Sequence, residues 1–313
     1  MEPVRWAKRG RILEVHGQRP WMAHHAAIPT DGPLTADRLR VYFGPRDAEG
    51  RTRTACVDLD PDDPARVLRL YDEPVLDLGT LGGFDDSGAM PSCAVDVDGD
   101  VWLYYIGWNQ GTTVSYRNAI GLAVSTDGGL TFERPYPGPL VDRSRDEPFF
   151  TATPYVLREP GGWRMWYAST IRWVVVEGHP EPVYVIKYAE SDDGVSWRRD
   201  NRTCIEPLHP EEANARPTVV RDADGYRMWF CYRGSRGYRD NPGASYRIGY
   251  AESADGVVWD RKDDLAGIDV SAEGWDSVML AYPCVYEHRD TLHLLYNGNG
   301  FGTSGIGHAV AAG

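Results

Sequence analysis

Ala27-Ile28-Pro29, Ala89-Met90-Pro91, Ala152-Thr153-Pro154, Ala215-Arg216-Pro217 and Ala281-Tyr282-Pro283 are five copies of one tripeptide, Ala-x-Pro. Their prolines follow one another at intervals of 62, 63, 63 and 66 residues. A near-constant interval of this size marks a repeated structural unit. Each copy opens a run of β-branched and aromatic residues, the composition of a strand.

Around these tripeptides the units share a plan. A first strand leads through a turn into an aromatic second strand, seen as Val101-Trp102-Leu103-Tyr104-Tyr105, Trp163 to Tyr167, Tyr226 to Phe230 and Leu292 to Tyr296. The turns carry Asp and Gly, as hairpins require. A third strand comes next, around Ala119–Ala123, Val185–Ala189, Arg247–Ala251 and Gly305–Ala309, and then a Ser-x-Asp-Gly turn leads to a fourth. Four short antiparallel strands repeated radially predict an all-β, five-bladed β-propeller, read as one domain over residues 1–313. The last unit reaches Gly313 without a fourth strand, and the stretch from Trp6 to Leu13 resembles Trp197-Arg198-Arg199 and the residues after it. Residues near 4–15 are therefore expected to close the last blade and cover its open edge. The first blade is expected from about Trp21 to Asp60, and the others near 84–140, 146–205, 211–265 and 275–313.

The composition narrows the function. The 313 residues carry a formal charge of −13, which excludes the clustered positive footprint that phosphate backbones demand. No basic amphipathic segment is present to hold an anionic membrane surface. No apolar run is long enough to span a bilayer, and the first residues lack the apolar stretch of a secretion signal. Five cysteines, odd in number and without CxxC spacing, read as reduced core residues of a cytoplasmic protein. No phosphate loop, GxSxG or HExxH occurs.

In a propeller the first strands line the central channel, so the inward positions of these strands are where chemistry is sought. Side chains alternate along a strand. Counting back from each proline by one, three, five and seven residues predicts a shared face. That face delivers one ionisable group per blade to the same rim: His24, Asp86, Glu147, Glu212 and Asp276. Asp86, Glu147, Glu212 and Asp276 are the candidate catalytic carboxylates, because clustered acids raise one another's pKa and can split into acid and base roles. Arg216 and Asn214, on the same strand as Glu212, suit a carboxylate, phosphate or sugar hydroxyl. Trp108, Trp173 and Trp275, in or beside loops, are placed to stack on a sugar ring. The expected ligand-binding set is His24, Trp108, Asn109, Asn214, Arg216, Arg233, Trp275, Tyr282 and Asn299. His24-His25 sit side by side on a strand and point to opposite faces, so they do not share a metal unless the strand bulges. No cofactor is expected, a divalent cation in the channel being the one alternative.

The five-blade plan and the Ala-x-Pro opening resemble propeller glycosidases of the arabinanase, xylosidase and levansucrase type. In those enzymes the first blade reads Ala-Asp-Pro, and that Asp is general base or nucleophile; the matching residue here is Ile28, and none of the five equivalents is acidic. The chain resembles more closely the glycosidase-like propellers of bacterial sugar and natural-product biosynthesis, through Phe84-Asp85-Asp86, Tyr105-Ile106-Gly107-Trp108-Asn109, Gly274-Trp275-Asp276 and Tyr296-Asn297-Gly298-Asn299-Gly300. The resemblance implies a site in the channel. Ser125-Thr126-Asp127-Gly128-Gly129-Leu130-Thr131-Phe132 matches the Asp-box of sialidases, where Ser and Asp brace an outer hairpin. Asp127, Asp193 and Asp255 are accordingly read as structural.

Three functions stay open at this point. The leading one is a glycosidase-like enzyme that cleaves or transfers a glycosyl unit of a small glycosylated or polyhydroxylated metabolite through channel carboxylates. The second is a non-catalytic sugar-binding propeller, as Ile28 suggests. The third is a propeller repurposed for a non-hydrolytic step, such as proton transfer or cyclisation, in a biosynthetic pathway.

Overall fold

The computed structural model describes residues 4–239 and 241–312. Its strands form five sheets. The first blade holds β2 (His24–Leu34), β3 (Leu39–Arg46), β4 (Ala55–Leu59) and β5 (Val67–Leu70), following β1 (Arg5–Leu13) in the chain. The second holds β6 (Gly88–Val97), β7 (Asp100–Gln110) and β8 (Tyr116–Ser125). The third holds β9 (Thr151–Glu159), β10 (Gly162–Val176), β11 (His179–Ser191) and β12 (Arg198–Ile205). The fourth holds β13 (Glu212–Asp222), β14 (Gly225–Gly234), β15 (Arg247–Ser253) and β16 (Asp260–Arg261). The fifth holds β17 (Ala281–His288), β18 (Thr291–Asn297) and β19 (Ile306–Ala312), with β1 paired antiparallel to β19. The chain is thus an all-β five-bladed propeller whose last blade is closed by its N-terminal strand.

Two boundaries differ from expectation. Blade one continues past Asp60 to a fourth strand at Val67–Leu70. Its four residues, Val-Leu-Arg-Leu, are largely exposed and too few to show a strand alternation. In blade two the outer edge is reduced to two isolated bridges, Ile120 with Val141 and Val124 with Glu133.

Neighbouring blades are joined by a repeated contact. The second-strand aromatic of one blade reaches the Asp-box turn of the next: Tyr42 Oη donates to the Gly129 carbonyl, Tyr104 Oη to Gly194, and Trp166 Nε1 to Gly256. All three rings are fully buried. Burial of each contributes roughly 1.5–3 kcal/mol, and the polar tip finds its partner. The receiving turn is rigid because its acid is saturated. Asp127 accepts from Ser125 Oγ (2.6 Å), from the Leu130 and Thr131 amides and from Thr131 Oγ1. Burial alone would raise its pKa, but these donors hold it well below the usual carboxylate range. Asp193 and Asp255 repeat the arrangement.

The Ala-x-Pro segments converge on the axis. Ala27, Ala152, Ala215 and Ala281 belong to one buried cluster there. In four blades the middle residue adopts a left-handed backbone: Ile28 (φ 55°), Thr153 (46°), Arg216 (53°) and Tyr282 (55°). For a β-branched residue this is a real outlier, costing about 1–2 kcal/mol. The pairing register slips beside each of them, as between Ala27 and Thr30 or Ala215 and Thr218. Such bulges re-aim side chains.

Candidate functional site

That backbone inversion decides which side chains see the axis. In blades one and three the middle residue and the alanine before it both line the axial cavity, Ile28 with Ala27 and Thr153 with Ala152. Positions four before the proline then share the axial cluster (Phe150, Ala213, Met279), and positions three, five and seven before it are absent from that cluster. The alternation expected from the sequence is shifted by one residue.

The consequence for the candidate carboxylates is direct: none of the four lines the axial cavity. Glu147 accepts from Tyr167 Oη (3.0 Å) and Arg199 Nη1 (2.8 Å), with Lys187 Nζ at 3.4 Å. Asp276 accepts from Lys8 Nζ (2.7 Å) and Tyr296 Oη (3.2 Å). Glu212 pairs with Arg261 Nη1 at 2.5 Å, and Arg261 packs over Phe230 and Tyr232. In blade two the equivalent acid is Asp85, not Asp86; it accepts from Tyr105 Oη (2.8 Å) and Arg134 Nε (2.7 Å). Asp86 instead braces its own loop, accepting from Asn109 Nδ2, Ser87 Oγ and the Gly82 amide; partial burial opposes its charge, but these donors keep its pKa below the ordinary value. The acid common to blades two to five is therefore a staple, tying the loop before the first strand to a cation on the outer strands.

The other candidates divide. Trp108, Arg233 and Tyr282 line the axial cavity as expected. Asn109 is held by Asp86 and the Gly83 carbonyl. Asn299 accepts from the Val278 and Met279 amides and donates to the Gly274 carbonyl, and Trp275 stacks on Tyr296 at 5.5 Å. Both residues fasten the loop before β17, away from the cavity. Asn214 is fully buried, and both its side-chain polar atoms lack partners among the described residues. Arg216, 1% exposed, crosses from blade four to blade one, where Nη2 donates to the Pro29 carbonyl (2.8 Å) and Thr30 Oγ1 (3.2 Å). It is a cross-blade strut, not part of the cavity wall. Trp173 packs edge-on against Phe150 and Tyr116, both of them in the cavity wall. His24 and His25 do come together, ring nitrogens 2.5 Å apart, because His25 takes a left-handed backbone (φ 66°) and the strand bulges. Among the described residues no three His, Cys, Asp or Glu side chains are grouped to hold a metal ion.

The axial cavity has a volume of about 350 Å³. One wall, from blades one and two, carries Arg46, Thr52, Trp108 and Asn118. Thr52 Oγ1, Trp108 Nε1 and Asn118 Oδ1 are buried there without hydrogen-bond partners among the described residues. Trp108 reaches its place because residue 88 is glycine: a Cβ there would lie 1.7 Å from the indole nitrogen. The opposite wall is phenolic. Tyr184 Oη and Tyr246 Oη lie 2.5 Å apart, and Arg233 Nε sits 3.3 Å from each. The Arg233 guanidinium lies 3.9 Å from the Tyr238 ring centroid and donates to the Pro182 and Gly234 carbonyls. Burial raises the Tyr246 phenol well above its ordinary pKa, so it is a neutral hydrogen-bonding group. Arg239 completes this wall and is neutralised by Glu181. No Asp or Glu lines the cavity among the described residues.

Arg46, Trp108 and Arg233 share one repeat position, three residues after the second-strand aromatic at Phe43, Tyr105 and Phe230. That register was visible in the sequence. Thr52 and Asn118, on a loop and at a third-strand start, carry no comparable signal.

No protein-family model matches the chain. It is 40% identical over 306 residues, 97% of its length and 98% of the relative's, to the "Uncharacterized protein Rv1502" of Mycobacterium tuberculosis, and equally to MT1551 of another strain of that organism. Among solved structures it is similar to a complex of BT0996 with RGII, with a TM-score of 0.74 and 17% identity over 99% of this chain and 91% of that one. A second similar structure is from work on the GH130 family of mannoside phosphorylases containing glycoside hydrolases that target β-1,2 mannosidic linkages in Candida mannan (TM-score 0.72, 14% identity, 99% and 94% covered). A third is a thermostable family-43 glycoside hydrolase (TM-score 0.64, 15% identity, 92% and 88% covered). At these identities the structures establish the fold.

Proposed function

The chain belongs to the family of the Mycobacterium tuberculosis protein Rv1502 and has the propeller fold of glycoside hydrolases, and from its axial cavity we infer that it binds a small polyhydroxylated ligand, a carbohydrate derivative of one or two rings. The observation that carries this reading is the chemistry of the walls: Thr52, Trp108 and Asn118 on one side of the cavity, tyrosines and Arg233 on the other. Aromatic groups on the other wall suit the apolar faces of a sugar ring. The volume of about 350 Å³ falls at the small end of ligand sites, which span roughly 300–1,000 Å³.

Hydrolysis by a carboxyl pair needs two acids flanking the bond, roughly 5–9.5 Å apart. The cavity wall supplies none among its described residues, and the nearby acids are committed to ion pairs. Binding is therefore the primary reading. A non-hydrolytic proton transfer is the second, favoured by the Tyr184–Tyr246 hydroxyl pair held by Arg233. There the phenols would donate to, and accept from, a ligand oxygen.

Calorimetric titration with a panel of mono- and disaccharides tests the assignment. Saturable binding is expected, weakened by Thr52→Val and Asn118→Ala. Turnover of nitrophenyl glycosides that Glu147→Gln or Glu212→Gln abolishes in a folded protein would restore the hydrolase reading and overturn this one.

A further inference from the structure

Resting on that reading of the cavity, we propose that its ligand carries an oxyanion, a phosphate or carboxylate on the sugar, and that Arg46 and Arg233 receive it.

The chain carries 46 acidic and 33 basic residues, a formal charge of −13, so acids are available to neutralise arginines. Elsewhere they do: Arg40 pairs with Asp58, Arg134 with Asp85, Arg199 with Glu147 and Arg261 with Glu212. In the axial cavity the pattern stops. Arg233 is 2% exposed and has no carboxylate partner among the described residues; its contacts are two carbonyls and tyrosine hydroxyls and rings. Arg46 reaches the same cavity from blade one and has neither ion pair nor side-chain hydrogen bond among the described residues. Among the described residues of the cavity wall only Arg239 has its acid, Glu181.

A guanidinium stays charged under all physiological conditions. Burying it unpaired is unfavourable; Arg216, the other fully buried arginine without an acid among the described residues, spends its guanidinium on a strut to blade one, whereas Arg233 lines the cavity. A ligand oxyanion accounts for it. Guanidinium presents its donors in a planar fork suited to carboxylate and phosphate. One of the Tyr184 and Tyr246 hydroxyls donates to the other, which leaves a single phenol proton to donate beside Arg233. Thr52, Trp108 and Asn118 lie on the Arg46 side, so a ring bearing hydroxyls and one oxyanion meets both walls together.

Four probes at fixed ionic strength test this by thermal shift and titration: inorganic phosphate, glucuronate, glucose 6-phosphate and glucose. The expected result is saturable stabilisation by at least one oxyanion probe, with glucose bound roughly tenfold or more weakly. Arg46→Gln, which leaves the packed tyrosine wall untouched, should weaken the oxyanion by a similar factor; Arg233→Lys should do the same if it folds. The preference between glucuronate and glucose 6-phosphate identifies the oxyanion. Glucose binding as tightly as the anions would overturn the proposal while leaving the carbohydrate site intact. Oxyanion binding that Arg46→Gln and Arg233→Lys both retain would place it elsewhere on the surface and also overturn it, as would no response to any oxyanion probe. Loss of all carbohydrate binding across the wider neutral panel bears on the parent reading instead.

Discussion

The staple acids and the axial arginines are built into the same blades, yet their charges are treated in opposite ways. Glu147, Glu212, Asp276 and Asp85 each meet a cation within the same blade, and three of them also take a tyrosine hydroxyl. Arg46 and Arg233 meet no carboxylate among the described residues. A charge neutralised by its own blade is committed to the fold, whereas a charge left open at a cavity is available to a ligand. This contrast separates architecture from function in a molecule where both are written in the same residue types.

The contrast can be broken most severely at Glu147. Glu147→Ala leaves Lys187 and Arg199 without their shared carboxylate, Lys187 being buried. We expect a loss of about 3–5 kcal/mol in denaturant unfolding. A loss below about 1 kcal/mol, the usual worth of an exposed pair, would show that the staple is decorative. Tyr167→Phe removes only the hydroxyl that Glu147 accepts from, and should cost about 1.5–3 kcal/mol in the same measurement. Arg46→Gln is the counterpart on the axis. With no partner to orphan among the described residues, it should change stability by no more than about 0.5 kcal/mol while weakening oxyanion binding roughly tenfold. A large destabilisation would mean that Arg46 is a structural residue after all.

His25 provides the most delicate probe. Burial first, then the neighbouring Arg46 and His24, lower its pKa to about 3 from the ordinary 6.5. The unfolded chain therefore binds a proton that the folded one refuses between pH 6.5 and about 3. This contribution to stability is complete above pH 6.5 and is lost as the pH falls towards 3. His25→Gln should flatten that part of the pH–stability curve. Followed by NMR, the His25 pKa should rise when an oxyanion settles on Arg46 and offsets its repulsion. No movement on saturation would separate the bound anion from Arg46.

The blades were legible because propeller repeats are local: tripeptide, aromatic strand and Ser-x-Asp-Gly turn each lie within a few residues. Closure by residues 5–13 was legible from the resemblance of Trp6–Leu13 to an outer strand. The axial face was not, because the left-handed backbone at Ile28, Thr153, Arg216 and Tyr282 inverts the pleat, and nothing about Ile or Thr announces a positive φ. The staples were invisible for another reason. Lys8 meets Asp276 across almost the whole chain, and Arg199 meets Glu147 across two strands; no periodicity links such partners. The five-blade recurrence of ionisable groups near the first strand was real, and its cause in blades two to five is structural. Trp108, Tyr282 and Arg233 of the expected set line the cavity, while Arg46, Thr52 and Asn118 required the folded cavity to bring them together.

Anomalous diffraction from crystals soaked in selenate, a tetrahedral oxyanion that reports its own position, tests the central claim most directly. The predicted result is a selenium peak inside the axial cavity, in hydrogen-bonding contact with Arg46 and Arg233. Peaks confined to surface arginines, with the axial cavity holding none, would contradict it.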